Sequence, residues 1–95
     1  MKLPLSFESS TTGSELRRIL PQAVGFLPFS DQGDCFVHHD GARSWRIGMT
    51  PLAVKTLGLI SWRPMRIDFS FEGFAPEQID AFMQRFELYF RRGGG

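Results

Sequence analysis

The side chains best suited to chemistry in this sequence lie together between residues 34 and 40. Cys35, His38 and His39 stand there between two aspartates, and thiolate, imidazole and carboxylate groups serve as zinc ligands and in nucleophilic catalysis. If this segment is a strand, His38 and His39 point to opposite faces, and Cys35 lies about 13 Å from His39 along the chain. We therefore predict no metal, no cofactor and no catalytic residue. No phosphate-binding loop, nucleophile elbow or zinc-protease motif occurs elsewhere, which favours a non-enzymatic protein.

Arginine next to tryptophan is a second pattern with chemical meaning. The word Ser-Trp-Arg occurs at residues 44–46 and again at 61–63, and nine of the eleven basic residues are arginine. Guanidinium and aromatic groups stack on bases and pair with phosphates, so single-stranded nucleic acid binding is an alternative function. Its candidate residues are Arg43, Arg46, Trp62, Arg63 and Arg66. Against it, Trp45 is expected in the core, and Asp68 and Glu72 share the outward side of their strand with Arg66.

A predicted closing helix over residues 76–92 carries a surface suited to a protein partner. Leu88 projects nearly opposite the apolar stripe of that helix, and Tyr89 lies at the margin of the stripe. Aromatic residues and arginine are enriched at the centres of protein interfaces. The leading prediction is therefore a protein-interaction or assembly module that self-associates or binds another protein. Its predicted contact residues are Leu88, Tyr89, Arg85 and Arg92.

The chain ends in two arginines and three glycines, residues 91–95. A terminal glycine pair after basic residues resembles the tails of ubiquitin-like and bacterial sulfur-carrier proteins, and this resemblance of the last few residues implies a carrier that uses its glycine tail. In those families the tail follows a strand, whereas here it follows a predicted helix, which glycine also terminates well. The longer ending, DFSFEGF at 68–74 and RFELYFRRGGG at 85–95, resembles the close of small proteobacterial proteins with no assigned function. That resemblance implies a bacterial source and no chemistry.

Composition limits the framework that must position these side chains. With 95 residues, 42% of them hydrophobic, 22% charged and a formal net charge of +1, the chain can bury one core, and its charge does not imply nucleic acid or membrane surfaces. A single cysteine excludes an intrachain disulfide and fits a reducing compartment. No run approaches the roughly 20 apolar residues of a membrane helix. We predict one domain over residues 1–92 and a flexible tail over 93–95, in the cytoplasm and without a membrane partner.

Local patterns in the first third predict a strand, a helix and a loop. Residues 3–7 alternate apolar side chains with serine or proline, as a short strand does. Thr-Gly-Ser-Glu at residues 12–15 is a capping box, so a helix begins there. Pro21 predicts that this helix ends or kinks at the preceding residue. Residues 22–33 contain proline and glycine among apolar residues and indicate a loop, with room for a short strand.

A hairpin and a second helix are predicted next. Asp-Gly at residues 40–41 lies between two runs of strand-forming residues, which is a strong hairpin signal with a tight turn between His39 and Ala42. Threonine and proline at residues 50–51 suit the start of a helix, and Gly58 suits its end. This second helix has room for two turns.

The end of the chain gives the clearest periodicities. Residues 65–71 alternate apolar and polar side chains, which predicts a half-buried strand. Helical spacing then places apolar residues on one stripe that is expected to pack on the sheet: Ile79, Phe82, Met83, Phe86 and Phe90. The element order is β-α-β-β-α-β-α. It predicts an α+β fold in two layers, with a mainly antiparallel sheet covered by helices, and a ferredoxin-like variant fits this order.

Overall fold

The structure, a computed structural model that describes residues 5–92, contains two helices and seven strands in that range. The helices are α1 (Gly13–Ala23) and α2 (Pro76–Arg92). The strands are β1 (Ser6–Ser9), β2 (Ser30–Asp31), β3 (Cys35–Asp40), β4 (Arg43–Pro51), β5 (Lys55–Leu57), β6 (Ile60–Trp62) and β7 (Met65–Glu72). The predicted tail at 93–95 and the beginning of the predicted first strand lie outside the described residues.

Five strands form one sheet in the order β1-β7-β4-β3-β2, and every neighbouring pair is antiparallel. The predicted α+β class and mainly antiparallel sheet are therefore confirmed, while the arrangement in two layers stays a prediction. The predicted order β-α-β-β-α-β-α is wrong, because two further strands and no helix lie between β4 and β7. The ferredoxin-like variant needed a helix at that point, so the observed order does not fit it.

Residues 52–64, here called the arm, form a hairpin where the sequence predicted a helix after Thr50. Strand β4 continues through Pro51, the Leu52 amide donates to the Pro64 carbonyl at 2.9 Å, and β5 pairs with β6 beyond that point. A helix of two turns is marginal unless it packs on something. The hairpin ladder satisfies the backbone groups of both segments, which explains why the local helix signals do not prevail.

Both helices begin where the sequence predicted. The Thr12 hydroxyl accepts the Glu15 amide at 3.2 Å at the start of α1, as in a capping box. Helix α1 nevertheless runs to Ala23, beyond the predicted end before Pro21. That proline lies in the last turn, and its carbonyl accepts the Phe26 amide at 2.7 Å. Proline has no amide hydrogen to donate to the Arg17 carbonyl, so α1 lacks one helical hydrogen bond there and ends two residues after Pro21.

The core is formed by the apolar stripes of the helices and by alternate residues of the central strands. The buried residues of β7 and α2 are Met65, Ile67, Phe69, Met83, Phe86 and Phe90. The rings of Phe69 and Phe86 meet edge to face, with their centroids 4.8 Å apart. The predicted packing of residues 65–71 against the closing helix is therefore confirmed.

The loop of the β3–β4 hairpin is Gly41-Ala42 rather than the predicted Asp40-Gly41, and His38 pairs with Trp45. Glycine at the first loop position is what a type II′ turn uses. The strands are displaced by two residues from the predicted register, which leaves every side chain on its predicted face. Trp45 is buried, as the sequence predicted.

An exposed ion pair ties the short strand β2 to α1. The Arg17 Nε donates to Asp31 at 2.7 Å, and the Gly33 amide donates to the same carboxylate at 2.9 Å. The hydrogen bond from Arg17, followed by that from the Gly33 amide, lowers the pKa of Asp31. The ion pair orients β2. Because both of its partners are exposed, it contributes little to the free energy of folding. Strand β2 itself is the short strand for which residues 22–33 left room.

Candidate protein-interaction site

The arm has one apolar face and one polar face. Cross-strand neighbours lie on the same side of a sheet, and successive residues alternate between sides. The polar face carries Thr56 and Ser61, which are register partners with their hydroxyl oxygens 3.5 Å apart. The apolar face carries Leu57 with its partner Ile60, and Trp62 with its partner Lys55. Such a strand pair is suited to packing its apolar face against another surface while its polar face stays in water.

Within residues 5–92, the outer part of the apolar face is uncovered. Leu57 is 71% exposed and Ile60 is 65% exposed, and Leu59 at the tip is 105% exposed. Eight large apolar side chains are exposed among residues 5–92. Half of them lie on the arm, namely the three just given and Val54. Clustered exposed apolar side chains, unlike scattered ones, mark interaction surfaces.

An exposed ion pair joins the base of the arm to the five-stranded sheet. The Lys55 Nζ lies 3.8 Å from a carboxylate oxygen of Glu8. Glu8 pairs with Arg66 on the side of the sheet that faces away from the core, here called the open face. The apolar face of the arm is therefore directed to the same side as the open face. Trp62, the register partner of Lys55, is half-buried at this base.

The open face holds only part of the predicted nucleic-acid set. Arg46 and Arg66 are both exposed there. Arg46 folds over Gly48, where a Cβ atom would lie 3.0 Å from its Nη1, and Arg66 lies 3.4 Å from the Asp68 carboxylate. Arg43 belongs to the opposite side of the sheet, with its guanidinium 5.8 Å from the centre of the Phe74 ring.

The two other predicted nucleic-acid-binding residues, Trp62 and Arg63, lie on the arm. Acidic side chains lie beside the arginines of the open face. Trp62 lies on the apolar face of the arm, and Arg63 is exposed beside it. Glu8, Asp68 and Glu72 share the open face with the two arginines. The structure thus brings Arg46 and Arg66 to one surface and does not add Arg43 to it. The carboxylates offset the positive charge that phosphate binding requires.

The predicted contact residues on α2 do not form one free surface. Leu88 is 49% exposed beside Gln84, Glu87 and Arg91. Arg85 instead donates from Nε to the Gln22 carbonyl at 2.9 Å, and its guanidinium stacks 4.9 Å from the centre of the Tyr89 ring. Arg85 therefore links α2 to the end of α1. The Arg92 side chain lies outside the described residues.

The histidine and cysteine side chains of β3 have structural surroundings. His38 is 5% exposed, its Nδ1 donates to the Pro28 carbonyl at 2.7 Å, and its ring stacks on Trp45. Cys35 is buried with its sulfur 3.4 Å from the Gln32 amide oxygen. Within residues 5–92, no group of three or more His, Cys, Asp and Glu side chains could hold a metal ion.

The arm was missed by sequence reasoning, although a signal for it exists. Ile60 and Trp62 alternate with Ser61, and Lys55 and Leu57 alternate with Thr56, on either side of Gly58. This is the pattern of two half-buried strands joined by a short loop. Residues 50–51 are typical of a helix start, and the sequence therefore led to a predicted helix in place of these two strands.

Comparison with protein-family models, with curated proteins and with solved structures finds no match to this chain. Among residues 5–92, no helix is both long enough and apolar enough to cross a membrane. Function is therefore inferred from the surfaces of the chain itself, of which the arm is the most distinctive.

Proposed function

We propose that this chain is a non-enzymatic protein-interaction or assembly module that contacts its partner through the arm. The observation that carries the proposal is the exposed Leu57–Ile60 pair on the apolar face of the arm, with the exposed Leu59 at its tip. A two-stranded hairpin is marginally stable in water by itself and gains stability when its apolar face is packed. Burial against a partner supplies that packing.

A protein fits the arm better than a lipid bilayer does. Strands β5 and β6 make up the whole of their sheet, so each strand has one edge without a ladder partner in that sheet. In hydrocarbon, unpaired backbone groups cost several kcal/mol each. The hydroxyls of Thr56 and Ser61 on the other face would add to that penalty. At a protein surface these polar groups stay in water while the apolar face is buried.

Photo-crosslinking in intact cells tests the proposal. A benzophenone amino acid is placed at Leu59, the second loop residue of the arm, and, as a matched control, at Ala42, the second loop residue of the β3–β4 hairpin. We expect a discrete crosslinked product from position 59 and none from position 42, because only the arm is next to exposed apolar residues. The same products from both positions, or none from position 59, would contradict an interaction role for the arm.

Single-stranded nucleic acid binding is the second candidate, and it is favoured by the shared exposure of Arg46 and Arg66 on the open face. For this candidate we expect affinity for a thymidine oligonucleotide to fall as salt rises. Replacing both arginines by alanine should reduce the steepness of the logarithm of affinity against that of salt by about 1.4, since each phosphate contact on a single strand contributes about 0.7. Arg43→Ala, on the other side of the sheet, is the control. A slope that is unchanged in the double variant would exclude this surface.

A further inference from the structure

We propose that the arm binds its partner by strand addition, in which an extended segment of another protein pairs with the outer edge of β6. This rests on the proposed function and specifies the class of partner. The added segment extends the sheet of the arm to three strands, which is what a small sheet with an apolar face needs for stability in water. Main-chain hydrogen bonds also give affinity to a contact whose apolar face offers few large side chains.

The direction of the backbone groups on β6 follows from two hydrogen bonds of the line of chain that runs from β6 into β7. Successive residues of a strand direct their N–H and C=O groups to opposite edges. The Phe69 amide donates to a carbonyl just before β1 at 2.8 Å, so the odd-numbered residues of this line face outward. The Pro64 carbonyl accepts the Leu52 amide at 2.9 Å, so the even-numbered residues face inward. The backbone groups of Ser61 and Arg63 therefore point to the outer edge of β6.

Within residues 5–92, these outer groups have no backbone partner. Strand β1 pairs with β7 only as far as Ser9↔Met65 and ends there. Strand β6 pairs with β5 on its inner side, and no other backbone hydrogen bond within the described range reaches Ser61 or Arg63. An added strand therefore continues the line of β1 along β6.

The outer edge of β5 is less suited to strand addition. Leu52 lies opposite Pro64, whereas Lys55 lies opposite Trp62. Residues 53 and 54 thus oppose a single residue of the other strand, which is a β-bulge. A bulge and a lysine are both devices that protect the edge of a sheet from pairing. Strand β6 carries neither, and the proline that follows it lacks an amide only on its inner side.

The side chains of β6 define the segment that fits. Antiparallel pairing continues the pattern of the arm, and it places the residues opposite Ile60 and Trp62 on the apolar face. The residue opposite Arg63 lies on the other face. Arg63 is exposed, and none of the ion pairs within residues 5–92 includes it. The fitting segment has apolar residues opposite Ile60 and Trp62 and a carboxylate opposite Arg63.

The required carboxylate argues for another protein and against a second copy of this chain. Two β6 strands that pair with each other across a two-fold axis run antiparallel, with the axis at residue 61, 62 or 63. Arg63 then faces Leu59, Ser61 or the Arg63 of the other copy. None of these side chains is acidic, and two facing arginines repel each other.

Fluorescence polarisation with a labelled peptide tests the pairing directly. The peptide Glu-Val-Thr-Val, flanked by threonines, places its glutamate opposite Arg63, its valines opposite Trp62 and Ile60, and its central threonine opposite Ser61. Methylating the backbone nitrogen of that threonine removes a hydrogen bond to Ser61 and should weaken binding about tenfold. Methylating the nitrogen of the preceding valine, which points away from β6, is the matched control and should change the constant less than about threefold.

Crosslinking from Leu59 in intact cells tests the same edge in the full chain. Ser61→Pro removes an outward amide from β6, and Thr56→Pro, at its register partner, removes one from β5. Proline is tolerated where the missing amide faces outward from an edge strand, so the bonds between β5 and β6 remain. We expect the crosslinked product to be lost in Ser61→Pro and kept in Thr56→Pro. Circular dichroism and thermal unfolding verify that both variants fold.

The results distinguish a failure of strand addition from a failure of the proposed function. Absence of any product from position 59 in the parent chain contradicts the interaction role itself. A product that persists in Ser61→Pro overturns strand addition and leaves that role intact. Equal effects of the two methylations, or no binding at millimolar peptide, also overturn strand addition. A product with twice the mass of the chain overturns the assignment to another protein.

Discussion

Phe86→Ala should lower the free energy of unfolding by about 3–5 kcal/mol, as expected for deleting a buried phenylalanine ring. Phe86 is 1% exposed, and its ring packs edge to face on Phe69 of β7 and stacks on Phe90 of its own helix. Removing it leaves a cavity between β7 and α2, which the neighbouring rings fill only in part. A loss of this size is a large share of the total stability of a small domain, about 5–15 kcal/mol.

Urea unfolding followed by tryptophan fluorescence measures this loss, and Leu88→Ala on the same helix is the matched control. Leu88 is 49% exposed and lies on the far side of the helix from the core. Its truncation should change the free energy of unfolding by about 0.5 kcal/mol. Similar losses at the two positions would mean that α2 does not present Phe86 to the sheet, and the fold described here would be wrong.

The parts of the fold that the sequence predicted are those in which one local pattern matches one element. Residues 65–71 alternate with a period of two and form β7, and the apolar stripe of the closing helix recurs with helical spacing and forms α2. Both elements are long enough to repeat their pattern several times. The capping box at Thr12 likewise depends on groups three residues apart, and it marks the start of α1.

The arm could not be predicted in the same way, because its structure depends on pairing between segments. Threonine and proline at positions 50–51 suit a helix start, yet β4 continues through them because β7 supplies a partner for each residue as far as Pro51↔Met65. The register of the β3–β4 hairpin differed for a related reason. The dipeptide Asp40-Gly41 indicates where a turn lies, and cross-strand packing decides which of its residues form the loop.

The candidate site depends on the same long-range information. The sequence places Leu88 on the far side of a helix, and its exposure in the structure agrees with that position. Sequence does not reveal that Arg85 contacts the end of α1, or that Leu57 and Ile60 are left exposed by the rest of residues 5–92. Whether an apolar residue is covered depends on where all other elements lie. A surface of this kind therefore becomes visible only once the topology is known.

Gly73→Ala should be among the most damaging single-methyl additions in this chain, with an expected loss of about 3–4 kcal/mol in the free energy of unfolding. Gly73 has a φ of +76° between β7 and α2, and a Cβ atom there would overlap the carbonyl oxygen of Ala42 in the β3–β4 loop. The left-handed conformation alone costs an alanine about 1–2 kcal/mol. The overlap adds to it, because backbone rather than a flexible side chain must move.

Gly41→Ala separates these two contributions. Gly41 has a φ of +57°, and a Cβ atom there would meet no atom of residues 5–92 within 4 Å. Its loss should therefore be the conformational penalty alone, about 1–2 kcal/mol, and the difference between the two variants measures the close approach of the β3–β4 loop to the start of α2. Equal losses would show that the loop does not press on Gly73. A larger loss at Gly73 would show that the β3–β4 loop lies against the connection from β7 to α2, at the end of β7 opposite the arm.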